Sequence, residues 1–228
     1  MVYMGNIAVK SQVGLFYFIL FCLFVTSCGL DTFYYLDPIQ SANVANQPED
    51  PSEQFFSFTT ASNSGEDIFV GTSVYYRLYN SENTMNSNIT SINSQNEEYS
   101  DDAMNRLLSL GFQPISLDGS EIIVPAAMGA VPVTLRLFNN GNYNASVMIN
   151  EEDRGVPLRT PNLTGFSFYP TNSNSPLPKE SDGDTSYTQS QSLDSWYIAA
   201  YGVSVGRSLE LTPVYSQVVY LGNLIISP

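Results

Sequence analysis

Histidine is absent from all 228 residues, and cysteine occurs only twice, at Cys22 and Cys28. Without imidazole there is no Ser-His or Cys-His nucleophile pair and no histidine metal ligand. Two cysteines near the start of the chain supply neither a thiolate metal cage nor a disulfide framework. Positive charge is also scarce, with eight Lys and Arg against 22 Asp and Glu, a formal net charge of -14. Such a surface repels phosphate backbones and anionic lipid, which argues against a nucleic-acid partner. Neither GxGxxG nor GxxxxGK[ST] occurs, so no glycine-rich phosphate loop is expected. No apolar run reaches the roughly 20 residues that a bilayer-spanning helix needs. These absences lead to an expectation of no catalytic residues, no metal ligands and no cofactor.

What is present begins with an unbroken apolar stretch, Leu15 to Val25, preceded by one positive side chain, Lys10. It closes on Val25-Thr26-Ser27-Cys28, with Gly29 following. The length and the small residues around Cys28 fit a secretory h-region and its cleavage site. The arrangement resembles the signal and lipobox of bacterial lipoproteins. That resemblance implies removal of residues 1–27, Cys22 included. It also implies alkylation of the Cys28 thiol with diacylglycerol and acylation of the new amino terminus. Each buried methylene contributes about 0.8 kcal/mol, so two or three chains anchor durably where one does not. The competing readings are an uncleaved signal anchor and a buried apolar helix. Position 29 is not aspartate, which in enteric-type sorting argues against retention at the inner membrane. The expected location is the cell envelope, at the outer membrane or a periplasmic leaflet.

Beyond residue 28 the chain holds all 22 acidic residues and seven basic ones, a balance of -15. Residues 28–54 read as a lipidated terminus and tether. The aromatic run Phe33-Tyr34-Tyr35 is expected to dock on the body, and the Pro-, Asn- and Gln-rich remainder to stay solvated. Residues 55–228 read as one β-domain. Strand signals fall at Gln54–Thr60, Ile68–Asn80, Val131–Phe138, Phe166–Tyr169, Trp196–Val205 and Gln217–Ile226. In the second, Val74, Tyr76 and Leu78 share one face, and Tyr75, Arg77 and Tyr79 the other. Asn139-Asn140-Gly141-Asn142 reads as a tight hairpin turn leading to Tyr143, Ala145, Val147 and Ile149. One helix is expected from about 95 to 110, with Ser94 and Glu97 as a capping box, Tyr99, Ala103, Leu107 and Leu110 as its stripe, and Gly111 ending it. Many short strands with turns between them define a mainly β fold, an antiparallel sandwich with one inserted helix.

Further stretches carry resemblances. Cys28-Gly29-Leu30-Asp31-Thr32-Phe33-Tyr34-Tyr35-Leu36 and the Gly71-x-x-x-Tyr75-Tyr76-Arg77 core are similar to uncharacterised lipoproteins of spirochaetes, treponemes in particular. Trp196-Tyr197-Ile198-Ala199-Ala200-Tyr201-Gly202 resembles a late strand of fibronectin type III or Ig-like domains. The first resemblance implies an envelope location and the second a sandwich; neither implies an activity.

The remaining constellations have plain structural readings. Glu97, Glu98, Asp101 and Asp102 complement the positive end of a helix, whereas a glycosidase needs two acids converging in a dry cleft. Glu180-Ser181-Asp182-Gly183-Asp184-Thr185 offers oxygen ligands for calcium but lacks the spacing of a hand-type loop, so a mobile loop is expected. Tyr75, Tyr76, Tyr79, Tyr143, Tyr169, Tyr197, Tyr201, Tyr215 and Tyr220 are either half-buried packing or a platform for sugar rings. Trp196 reads as core. Lys179, the only lysine after Cys28, lies in a Pro/Ser-rich loop and makes a poor Ser-Lys base. Asn88, Asn144 and Asn162 head glycosylation-type triplets that follow from high Asn content. The preferred function is a non-enzymatic, membrane-anchored binding or structural envelope protein. Its partners are the membrane, through Cys28, and a protein or glycan ligand. A carbohydrate-binding module using surface tyrosines is the alternative, and a carboxylate hydrolase comes third.

Overall fold

Strands form where the sequence alternates or runs β-branched and aromatic without a break. A computed structural model describes residues 34–43, 45–46, 50–63, 65–168, 177–189 and 196–226. Cys28, Tyr169 and the signal segment lie outside that set. In chain order the elements are β1 (Gln40–Asn43), β2 (Ala45–Asn46), β3 (Phe56–Thr59), β4 (Phe69–Tyr79), α1 (Glu82–Asn93), α2 (Asp102–Ser109) and β5 (Gln113–Ser116). They continue with β6 (Val124–Pro125), β7 (Pro132–Arg136), β8 (Ser146–Ile149), β9 (Glu152–Asp153) and β10 (Leu158–Arg159). The last are β11 (Thr185–Ser186), β12 (Trp196–Arg207), β13 (Pro213–Tyr215) and β14 (Val219–Ile226).

Two sheets result. The smaller has the order β1-β3-β7-β8-β9, and the larger β10-β5-β4-β12-β14-β2, with β6 and β11 added to β4 and β13 to β12. Pairing is antiparallel except for β2 on β14 and β11 on β4. The expected antiparallel sandwich is the observed fold. Phe56, Phe58, Val133, Leu135, Val147 and Ile149 of the small sheet meet Val74, Tyr76, Leu78, Ile198, Ala200 and Leu224 of the large one in a first core. The period-2 alternation then sends Tyr75, Tyr79, Ala199, Tyr201 and Val203 to the opposite face. There they pack against Met85 and Ile92 of α1 and Ala103, Met104 and Leu107 of α2 in a second core. The split of the β4 faces follows the alternation in the sequence.

The turn after β7 also forms. Asn140 and Tyr143 exchange both backbone hydrogen bonds at 2.9 and 3.0 Å. Gly141 takes φ +58° at the first central position, where glycine is favoured in a II′ turn.

Three expectations are corrected. The helix expected over 95–110 is shorter, and a second helix precedes it. Ser94 is the C-cap of α1 rather than the N-cap of anything. Residues 95–101 are non-helical, and Tyr99 stands exposed at φ +63°. Ala103 and Leu107 are buried as the stripe required, and Gly111 takes φ +78° just past the Leu110 C-cap. α1 starts at Ser81, whose hydroxyl accepts from the Thr84 amide at 3.3 Å.

The second correction concerns the tether. The compact unit runs from Tyr34 to Pro228. Leu36 and Ile39 are buried, β1 pairs with β3, and β2 pairs with β14. Gly202 and Gly206 of β12 make room for this segment. A Cβ at Gly206 would lie 2.9 Å from the Ile68 carbonyl and 3.0 Å from Leu36 Cδ1, and one at Gly202 would run into Ile39. The third correction is Phe166–Tyr169. Phe166 and Phe168 are buried, but in irregular chain rather than a strand.

Four phenols sit in these two cores, and burial is the main cause of their upward shifts. Tyr79 is pushed up to about 12, and Tyr75, Tyr76 and Tyr201 further still. The folded state therefore resists ionisation that the unfolded chain undergoes near its ordinary value of 10.0. Their contribution is fully present below pH 10 and is lost as pH climbs toward the folded values, at about 1.4 kcal/mol per pH unit for each ring. Titration from pH 9 to 12.5 is expected to give cooperative loss of near-ultraviolet circular dichroism together with a jump in phenolate absorbance. A gradual, non-cooperative phenolate rise with the fold intact would contradict the burial of these rings.

Candidate functional site

The expected tyrosine platform is largely interior. Tyr75 is 7% exposed and Tyr76, Tyr79 and Tyr201 are fully buried. Tyr197, Tyr215 and Tyr220 pack partly against the helix-side core. Tyr143 is exposed, with the Arg136 guanidinium 4.7 Å above its ring. Asn88 is spent on the Tyr79 hydroxyl, to which its amide donates at 3.2 Å.

Two of the tyrosines nevertheless reach one cleft. Register explains this. Tyr75 pairs with Tyr201, and Val205 with Tyr215. Positions 201 and 205 of β12 share a face, so Tyr75 and Tyr215 come to the same outer side. The cleft between them holds about 240 Å³ and is completed by Ser73, Glu121, Arg207 and Pro213. The Ser73 hydroxyl donates to the Glu121 carbonyl at 2.8 Å and fixes the loop carrying that carboxylate. The two phenols are close enough for each to influence the other's ionisation. Burial, followed by the charges of Tyr215 and Glu121, raises the Tyr75 phenol well above its ordinary value. Two phenols, a carboxylate and a guanidinium around one small hollow suit a compact ligand rich in hydroxyls. Its volume is below the roughly 300–1,000 Å³ of drug-sized sites, which limits it to about one sugar ring.

A wider hollow of about 440 Å³ lies along Asn63, Glu66, Asp67, Phe69 and Met128. Asn63 there is already committed. Its side-chain oxygen accepts from the Asp37 amide at 2.8 Å, and its amide donates to the Asp37 carbonyl at 3.2 Å.

The densest polar cluster is in the interior. Arg159 of β10 donates from Nε and Nη2 to the two carboxylate oxygens of Asp184, each at 2.7 Å. Nη2 also reaches Asp182 at 3.0 Å, and the Tyr76 hydroxyl donates to Asp184 at 2.5 Å. Asp184 is fully buried and Arg159 only 3% exposed. Burial alone lowers the Arg159 guanidinium, but Asp184 and Asp182 more than reverse this and hold it above its ordinary value. The Phe168 ring covers the guanidinium at 5.2 Å. The Asp184 carbonyl accepts from the Leu78 amide at 2.9 Å, and Thr185–Ser186 then run parallel to β4.

The acidic run 180–185 is therefore not the mobile loop expected of it: Glu180, Ser181 and Gly183 are exposed, but Asp184 and Thr185 are buried. Its described part is locked to β4, because a buried bidentate ion pair needs fixed geometry. Among the described residues no three acidic or cysteine side chains gather closely enough to hold a metal ion. Glu97, Glu98, Asp101 and Asp102 lie exposed in and after the α1–α2 connection.

Neither the cleft nor the Arg159 cluster was legible as a site, because register and tertiary contact build both. The chain matches no protein-family model, no curated protein and no solved structure. No helix among the described residues is long and apolar enough to cross a membrane.

Removing one partner of a buried pair strands the other charge, at a cost of about 3–5 kcal/mol. Asp184→Ala is expected to lower the unfolding free energy by that amount, read from the fall in the urea midpoint at unchanged slope. Asp184→Leu combined with Arg159→Met is expected to recover most of the loss. A single substitution that leaves the midpoint unchanged would contradict the cluster.

Proposed function

We propose that this chain is a lipid-anchored, extracytoplasmic envelope protein that acts by binding or by structure rather than by catalysis. The observation that carries this reading is the run Val25-Thr26-Ser27-Cys28 closing an h-region. The similarity of the adjoining aromatic stretch to spirochaete lipoproteins supports it. The chemistry of the body points the same way. The most deeply buried carboxylate, Asp184, is fully occupied by Arg159 and Tyr76. A carboxylate tied on both oxygens inside a closed core is a structural brace, not a general acid awaiting substrate. Expressed with its leader in a bacterium, the protein is expected to partition into detergent and to carry the mass of a diacylglyceryl and an acyl group on Cys28. Cys28→Ser should abolish both. An intact leader or a bare thiol in the purified wild-type chain would end this reading.

The cleft at Tyr75 and Tyr215 favours one second reading, in which the bound partner is a glycan end. Stacking of a sugar on an aromatic face, with its hydroxyls directed to Glu121 and Arg207, uses the groups that line the hollow. A glycan array is expected to show binding that Tyr215→Ala removes while its circular dichroism remains that of the folded protein. Silence across the array would leave the envelope role without a sugar ligand.

A further inference from the structure

The two most exposed large apolar side chains among the described residues are Leu209, at 84%, and Leu211, at 72%. They lie on one hairpin, between β12 and β13. The hairpin is tightly built. Ser208 donates its amide to the Thr212 carbonyl at 2.9 Å, and its carbonyl accepts from the Leu211 amide at 3.0 Å. The Ser208 side chain accepts from the amides of Glu210 and Thr212, each at 3.2 Å. Ser208 itself is buried, yet the fold holds Leu211 at φ +64°, a conformation a bulky residue resists. A rigid tip that displays two leucines at a conformational cost is a candidate for function.

The same end of the body is where the chain leaves toward Cys28. Ile39 lies over Gly202, the Asp37 carbonyl accepts from the Ser204 hydroxyl at 2.7 Å, and Leu36 lies against Gly206. The segment thus runs backwards along β12 toward the 208–212 hairpin. Tyr35 then packs against exposed Tyr99, ring centroids 4.9 Å apart and planes tilted by 48°. Only residues 29–33 separate Tyr34 from Cys28, a span of at most roughly 20 Å when fully extended. An acylated Cys28 would hold this end, rather than a distant one, close to lipid.

We infer that the Ser208–Thr212 tip seats Leu209 and Leu211 at the interface of a zwitterionic bilayer. The lipid-anchored body then stands on the membrane in one orientation, with Tyr35 and Tyr99 at headgroup level. This rests on the lipoprotein reading given above. Apolar side chains entering the headgroup–acyl boundary add to the hold of the acyl chains, and tyrosine rings suit that layer. Glu210, Asp37 and Glu98 at this end oppose an anionic surface, and Arg207 is the adjacent cation. The lipid partner is therefore zwitterionic.

The test uses the acylated full chain in phosphatidylcholine vesicles, with or without bromine near the headgroup end of the acyl chains. Leu209→Trp and Leu211→Trp are expected to lose most of their emission to the brominated lipid. Asn83→Trp, in the first turn of α1 at the other end of β4, should stay bright. Trp196 is buried and supplies a constant background. If the protein is acylated and vesicle-bound but neither hairpin tryptophan is quenched, the seat is wrong and the anchor stands. If all three positions are quenched alike, the body has no preferred face and the seat is again wrong. If Cys28 carries no lipid, both readings fall together. A dimer of the unacylated chain that Leu209→Ser dissolves would assign the tip to a second copy and overturn the proposal.

Discussion

Strand β12 is covered on both faces along nearly its whole length, and the two cores exist because of it. Its inward residues, Trp196, Ile198 and Ala200, belong to the sandwich interior, and its outward residues, Ala199, Tyr201 and Val203, lie under the helices. Antiparallel pairing with β4 runs from Tyr197–Tyr79 to Gly206–Phe69. A one-residue slip there would exchange the two faces and put phenols where the sandwich needs aliphatics. The near-continuous apolar and tyrosine character of 196–205 is the composition expected of a strand with no solvated side. The three-layer order of small sheet, large sheet and helices follows from this one strand and its partner.

The interior also holds a charge pair in a chain with little positive charge to spare. Arg159, Asp184 and Tyr76 come from three separate segments, and Asp182 adds a second carboxylate at the rim. A pair like this contributes little net stability compared with an apolar replacement, but it is intolerant of being half-made. Its effect here is positional. Residues 177–189 carry few apolar side chains of their own, yet Thr185 and Ser186 reach β4 in parallel register. The Arg77 guanidinium, donating to the Thr185 carbonyl at 2.9 Å, fixes the same strand from the other side.

Much of the fold was legible from pattern. The faces of β4, the inward Val133, Leu135 and Val147, the turn at Gly141 and the end of α2 at Gly111 all follow from periodicity or from backbone conformations that glycine favours. α1 was not legible. Its sequence, ENTMNSNITSIN, is rich in residues that compete for backbone hydrogen bonds. Only Met85, Ile89 and Ile92 mark its buried stripe, and packing on Tyr79 and Tyr201 supplies what propensity does not. The capping-box spacing at Ser94 and Glu97 pointed about two turns too early, because a cap motif specifies a start only where a helix follows. The ion pair was hidden for a different reason. Arg159 and Asp184 are 25 positions apart, and nothing local says which acid of the run 180–185 turns inward.

The backward run of residues 36–39 along β12 also constrains the order of assembly. The Asp37 carbonyl and the Ser204 hydroxyl that bonds it are 167 positions apart, and Ala45 likewise waits for Gly222 of β14, the last strand. A chain emerging from its amino end can pair β1 with β3 early, but residues 36–39 cannot seat until β12 has arrived. Contacts this distant in sequence make folding slow. During synthesis residues 36–39 stay unseated, so the body locks only once β12 and β14 are complete.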